Sequence, residues 1–429
     1  MIPADLISKK RDGHALTKDE LTWFINDYLS GKVTEAQMTA LLMAIFYTGM
    51  SEEETFALVD VMLNSGSTLD FSDSDAYVAD KHSTGGIGDK VSLVLAPIMA
   101  AAGLMVPMIA GRGLGFTGGT IDKLETVPGF NTAPALETFK DWVNKNGCAI
   151  MAQSDQICLA DKKIYALRDQ TGTVPSVPLI CGSIMSKKIA EGISGLVLDI
   201  KVGSGAFMKT MEQARDLGSW MKKIGTAFNI ETDIIFTNMD QPLGRFAGLA
   251  CEVQESVKAL KGNGPKDLME VTFELGAKLL VQTKLANHKD EAIQLQQSLI
   301  DSGKALVAFE TMVDAQGGRL NELGSNAKPD HETVVHASED GIIDWMDTET
   351  IGWALVDLGC GRKNPGDSLD NSAGIEFLKK VGKETRKGDP VYRVFNSDPG
   401  RLDSASSMLE ETFSTGELSP DSVLILGDL

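Results

Sequence analysis

Two short stretches carry side chains whose types and spacing can do chemistry. KHSTGGIGDK, residues 81–90, sets Lys81, His82 and Ser83 just ahead of three glycines and a helix-like apolar run. AGRGLGFTGGTIDK, residues 110–123, repeats the TGG triplet. Glycines let backbone N–H groups close on an anion, and a helix starting after such a loop adds partial positive charge. Hydroxyls at Ser83, Ser92 and Thr120, with the ammonium of Lys81, would complete a cradle for an oxyanion such as phosphate. A lone TGG is ordinarily a turn; two of them, each flanked by hydroxyls and lysines, point to one anion held from two sides. Neither stretch is a GxxxxGK[ST] loop. GRGLGF does not complete GxGxxG, and no acidic ribose ligand follows it, which disfavours a nucleotide cofactor.

The rest of the chain narrows the setting. With 429 residues, 43% hydrophobic and 23% charged, it can bury a sizeable core in one to three domains. The start, MIPADLISKKRDG, has no apolar signal core, and no run approaches the ~20 residues of a membrane span, so a cytoplasmic protein without membrane partners is expected. Five scattered cysteines, none in a CxxC, fit reduced structural thiols. A net charge of −20 argues against nucleic-acid binding. It does not exclude a locally positive pocket, because Lys81, Lys90, Arg112, Lys123, Arg168, Lys187 and Lys188 gather in sequence near the glycines.

Elements must position these residues. Thr17 with Glu20, Thr34 with Gln37 and Ser51 with Glu54 have the spacing of capping boxes and predict helices over the first 65 residues. From about Tyr77, apolar runs such as GLVLDIKVG alternate with helical patterns, as around a buried sheet. After about Ala327, HETVVHASEDGIIDWMD and GDPVYRVFNSD alternate as strands do, with the polar GSNAKPDHE as a linker. The expected fold is α/β with a helical lobe. An all-α domain spans 1–65, rejoined by about 160–190. A mixed-sheet α/β phosphate-binding domain spans 70–159 and 191–326, and a C-terminal α+β extension spans 327–429.

KHSTGGIGDK, AGRGLGFTGGTIDKLETVPGF, YALRDQTGTVPS and GSIMSKKIAEG, in this order, closely resemble the thymidine phosphorylase and pyrimidine-nucleoside phosphorylase family. The likeness runs from the N-terminal helices to roughly Leu260 and continues more weakly beyond. It implies a helical lobe and an α/β lobe around a cleft, a homodimer, and reversible phosphorolysis of pyrimidine (deoxy)nucleosides with inorganic phosphate as co-substrate and no other cofactor. It implies phosphate binding at Lys81, Ser83, Ser92 and Thr120, and pyrimidine binding at His82, Tyr165, Arg168, Ser183 and Lys187. Of these His82, Arg168 and Lys187 would be catalytic. Breaking the C1′–N1 bond builds negative charge on the leaving base, which Arg168 and Lys187 would stabilise, while His82 would hydrogen-bond the O2 carbonyl. Phosphate is itself the nucleophile, so neither a protein nucleophile nor a metal is called for.

Three positions depart from the family's pattern. Ala110 stands where the signature has Ser, which removes one hydroxyl, and Phe116 stands where it has His. Some members hold a structural potassium ion near Gly88, position 90, Leu243 and Glu255; here position 90 is Lys90, whose ammonium, paired with Glu255, would take the cation's place. Met108 offers little to a ribose 2′-hydroxyl, so 2′-deoxynucleosides, thymidine first, are the expected substrates. Alternatives are a broad phosphorylase accepting uridine, a fold-related phosphoribosyltransferase using Mg²⁺, and a non-catalytic nucleoside-binding protein.

Overall fold

The computed structural model describes residues 1–113, 115–364, 366–416 and 423–429; Leu114 of the GRGLG string lies outside them. The chain divides into two compact units. The first comprises Met1–Asp75, Gln153–Ser194 and Asp216–Thr232.

That unit is helical, and its helices begin where the side chains dictate. Thr17, Thr34 and Ser51 each cap the following helix and donate their backbone N–H in return to the side chains of Glu20, Gln37 and Glu54, opening Lys18–Leu29, Glu35–Thr48 and Glu52–Leu63. Each such cap is worth about 1 kcal/mol. Glu54 also ties the unit together, because its carboxylate meets the buried Lys10 ammonium at 2.8 Å and accepts from the Leu16 amide. Leu21, Phe24, Met38, Leu41, Leu58 and Met62 pack into one core with Ile164, Leu167 and Leu179 of two later helices, Leu159–Thr171 and Val177–Ala190. Gly182 lets helices Val177–Ala190 and Glu52–Leu63 approach closely, since a Cβ there would lie 3.0 Å from Leu58 Cδ2.

The second unit comprises Ala76–Ala152, Gly195–Arg215 and Asp233–Leu429. Strand Ala79–Ser83 pairs in parallel with Gly195–Val202, with Ser83 opposite Asp199. The sheet continues through Glu231–Asn238 to Ile425–Asp428, which closes it antiparallel. The apolar run after Lys90 splits in two: helix Val91–Ala101 is buried nearly all round, and Val106–Ala110 becomes a strand parallel to Cys148–Ala152. Helices Ala250–Lys258, Lys266–Gln282, Lys289–Asp301 and Lys304–Ala315 contribute to the same core.

The C-terminal α+β domain belongs to this second unit. Phe246–Gly248, Gly374–Phe377, Pro390–Asn396 and His331–His336 form an antiparallel sheet, and Gly341–Met346 joins Glu384–Thr385 and Phe413–Gly416 in another. Helices Thr348–Leu358 and Pro399–Leu409 pack together beside them. Among the described residues no helix is long and apolar enough to cross a membrane. The five cysteines form no disulfide, and burial pushes the thiols of Cys148, Cys158 and Cys251 up to about 12.

Candidate active site

The first glycine stretch leaves strand Ala79–Ser83 and enters helix Val91–Ala101. Lys81 is only 3% exposed; its Nζ lies 3.5 Å from Ser92 Oγ and 3.6 Å from Asp89 Oδ1. Ser83 hydrogen-bonds the same Asp89 carboxylate and accepts from the Gly85 amide at 3.2 Å. Burial alone would raise the Asp89 carboxyl, but Lys81, Lys201 and the Ser83 bond outweigh it and hold it well below the carboxylate range. Behind them Lys201 and Asp199, both fully buried, pair at 2.6 Å, and Asp199 accepts from Thr237. The Lys81 pKa is pushed down by burial, with Asp89 and Asp199 acting in the opposite direction. Strand alternation sets His82 on the other face of the sheet from Lys81 and Ser83.

The second stretch folds over itself. A Cβ on Gly119 would lie 2.1 Å from the Gly113 nitrogen, so only glycine fits where these segments cross, one residue before Thr120 opens helix Thr120–Leu124. The two stretches meet. A Cβ on Gly85 would touch Thr117 Oγ1 at 3.5 Å, and Lys123 Nζ donates to the Asp89 carbonyl at 2.7 Å. Phe116, 9% exposed, packs against Phe207 and Trp353 with ring centroids 5.9 and 6.0 Å apart. It fills an aromatic pocket in which an imidazole would lose apolar contact.

Most of the gathered cations are neutralised by acids, two of them from far along the chain. Lys90 pairs with Glu255 at 2.7 Å, Lys123 with Glu252 at 2.6 Å, Arg112 with Glu125 at 2.6 Å, and Lys188 with Glu191 at 2.7 Å. Lys81 has no such short partner: its nearest carboxylate, Asp89, stands at 3.6 Å, which leaves its ammonium more to gain from an incoming anion. Lys90 Nζ also donates to the carbonyls of Leu243 at 3.1 Å and Phe246 at 2.7 Å. Its charge occupies the centre of the oxygens a potassium ion would need, and these residues do not fit that ion.

In the first unit, Tyr165 and Arg168 stand on helix Leu159–Thr171, and Ser183 and Lys187 on helix Val177–Ala190. Lys187 Nζ bonds Asp161 Oδ2 at 2.5 Å and Ser183 Oγ at 2.9 Å. The Tyr165 ring lies beside both cations, 5.6 Å from Arg168 Cζ and 6.0 Å from Lys187 Nζ. These four expected residues come together, with Asp161 as a fifth that sequence reasoning passed over. Its signal was there: Asp161, Tyr165 and Arg168 follow the i, i+4, i+7 spacing of one helix face. Arg168 is 1% exposed and donates to three backbone carbonyls, Thr173 at 3.4 Å, Leu179 at 2.9 Å and Val174 at 2.6 Å. A guanidinium has five N–H groups, so beyond these contacts one on each terminal nitrogen remains.

Comparison with known proteins identifies the family. A family model described as Glycosyl transferase family, a/b domain, matches residues 75–306, and one described as Glycosyl transferase family, helical bundle domain, matches 4–66. A third, Pyrimidine nucleoside phosphorylase C-terminal domain, matches 342–416. A pyrimidine-nucleoside phosphorylase of Staphylococcus epidermidis is 46% identical over 393 residues, 91% of each chain. One from Geobacillus stearothermophilus is 43% identical over 410 residues, 95% of this chain and 94% of that one. The crystal structure of anthranilate phosphoribosyltransferase from Thermus thermophilus shares the fold, with a TM-score of 0.58 at 16% identity over 72% of this chain and 98% of that one. The chain therefore belongs to the pyrimidine-nucleoside phosphorylase family of glycosyl transferases and is a pentosyltransferase.

Proposed function

We propose that this enzyme carries out phosphorolysis of pyrimidine 2′-deoxynucleosides in the cytoplasm, converting thymidine and phosphate to thymine and 2-deoxyribose 1-phosphate. The observation that carries the reading is the loosely held, buried Lys81 ammonium beside Ser92, at the junction of two glycine stretches. Lys81, Ser83, Ser92 and Thr120 bind phosphate, the nucleophile. Tyr165, Arg168, Ser183 and Lys187 bind the pyrimidine, with His82 at its O2 carbonyl. As the C1′–N1 bond breaks, a phosphate oxygen takes C1′ and the electron pair stays on the base, where Lys187 and the remaining N–H groups of Arg168 stabilise it. Asp161 anchors the Lys187 ammonium, fixing where that charge points.

The deoxy preference is supported by Met108, 2% exposed in strand Val106–Ala110, which offers no polar group to a 2′-hydroxyl. A broader range including uridine is the second reading, favoured by the names of the relatives, which specify pyrimidine nucleosides in general. A homodimer through the N-terminal helices is part of the proposal; Met1, Ile2 and Tyr47 there are 62%, 61% and 80% exposed. A chromatographic assay tests the reading, with the protein incubated with thymidine and thymine followed with and without phosphate. Phosphate-dependent release supports the reading, and release that needs no phosphate indicates a hydrolase. Activity with phosphoribosyl pyrophosphate and magnesium instead would indicate a transferase of the other kind.

A further inference from the structure

The carboxylate of Asp122 is 2% exposed and ties three parts of the second unit together. Its Oδ2 accepts from the Gly113 amide at 2.7 Å. Its Oδ1 accepts from Arg112 Nη1 at 3.0 Å and from Arg362 Nη1 at 2.9 Å. Arg112 is already committed to Glu125 through both terminal nitrogens, at 2.6 Å each. The donor that the glycine stretch does not itself supply is thus Arg362, 240 residues further along the chain and just past helix Thr348–Leu358. That helix lies directly on the stretch: a Cβ on its Gly352 would sit 2.8 Å from the Phe116 carbonyl oxygen, and its Trp353 packs on the Phe116 ring. Asp122 and Thr120 share one short helix, and Gly119 crosses Gly113 immediately before it. Fixing Asp122 therefore fixes both the Gly113 N–H and the Thr120 hydroxyl.

We infer that Arg362 is a positioning residue for the oxyanion subsite, bracing the second glycine stretch through Asp122. The inference rests on the phosphorolysis reading for its kinetic arm only. A buried carboxylate with one of its charged donors removed must find another partner or shift, and the backbone bonded to it shifts too. Tyr165, Ser183 and Lys187 belong to the first unit and take no part in the contacts named here, so the effect is expected on the phosphate side.

The experiment compares the full-length protein with Arg362→Ala and Arg362→Lys in steady-state thymidine phosphorolysis and in amide hydrogen exchange. For Arg362→Ala the KM for phosphate rises roughly tenfold, while kcat at saturating phosphate and the KM for thymidine stay within about twofold. Arg362→Lys, which keeps a charged donor, regains most of the loss. Amides of residues 111–113 and 115–119 exchange faster in Arg362→Ala while the sheet of the same unit is unchanged. A phosphate KM within about twofold of the parent, or a loss confined to kcat, overturns the inference. Uniformly faster exchange across the unit also overturns it, since that marks a general structural role. If Arg362→Ala does not fold, Arg362→Gln and Arg362→Lys carry the same comparison. A parent protein that releases no thymine refutes the phosphorolysis reading instead; exchange at 111–113 and 115–119, measured with and without inorganic phosphate, still decides the role of Arg362.

Discussion

Lys90 gives the sharpest test of how the scaffold under the first glycine stretch is held. Its ammonium is fully buried, bonded to Glu255 at 2.7 Å, Phe246 O at 2.7 Å and Leu243 O at 3.1 Å, with Glu252 at 4.0 Å. Burial disfavours the charge, yet Glu255 and Glu252 outweigh it and hold the Lys90 pKa above the ordinary lysine value. Lys90→Met removes the charge but keeps most of the stem. Breaking a buried pair from one side costs about 3–5 kcal/mol. Glu255 would keep its bonds from the Arg245 and Phe246 amides, at 3.1 and 3.2 Å, which puts the expected loss near the lower end, about 3 kcal/mol. The measurement is urea unfolding followed by tryptophan fluorescence, with Glu255→Gln and the double variant completing a cycle; the double variant should lose less than the two single losses combined. Lys90→Ser leaves three oxygens around an empty space, so potassium chloride should raise its midpoint relative to choline chloride, and should not do so for the parent. A loss under about 1 kcal/mol for Lys90→Met, or a parent midpoint that follows potassium, would refute the reasoning.

Four further outcomes are expected. Asp161→Asn should lower kcat for thymidine by roughly ten- to a hundredfold with the phosphate KM unchanged, because the Lys187 ammonium loses the carboxylate that aims it; equal effects on both substrates in initial-rate kinetics would contradict this. Arg168→Ala should lose both turnover and thermal stability, since three backbone carbonyls lose their donor along with the base; calorimetry and thymine release check the two losses separately. The Asp89 carboxyl sits below its unfolded value of 3.8, so its contribution to stability is complete above that pH and is lost as the pH falls towards the folded value. Asp89→Asn should flatten the acid limb of the stability–pH curve, read by unfolding midpoints from about pH 2 to 6. Uridine should show a kcat/KM at least about tenfold below that of thymidine, and near-equal values would discard the part assigned to Met108.

The features open to reading from sequence are those whose causes are local. The three capping boxes depend on residues three apart, and all three form. GLVLDIKV is apolar apart from Asp199 and Lys201 and becomes the fully buried strand Gly195–Val202. The glycine stretches declare themselves at Gly88, Gly113 and Gly119, where close backbone approach leaves no room for a Cβ. What stayed hidden depends on partners far along the chain. The cluster of cations reads as a positive patch until Glu252 and Glu255, more than 100 residues away, are folded against Lys123 and Lys90. Arg362 carries no local mark at all; its meaning is the Asp122 carboxylate it meets. The apolar run from Val91 to Ala110 holds a helix and a strand, because a segment buried on all sides loses the periodicity that would separate them.

The unreactive thiols have a practical corollary. With the sulfurs of Cys148, Cys158 and Cys251 pushed up to about 12, and those of Cys181 and Cys360 raised as well, maleimide labelling of the native protein is expected to be slow. Gly111 is exposed, has ordinary φ, and a Cβ added there meets nothing within 4 Å. A single Gly111→Cys variant would accept a fluorophore beside the proposed oxyanion loop without any background mutation, so that phosphate binding there would be read as an optical signal.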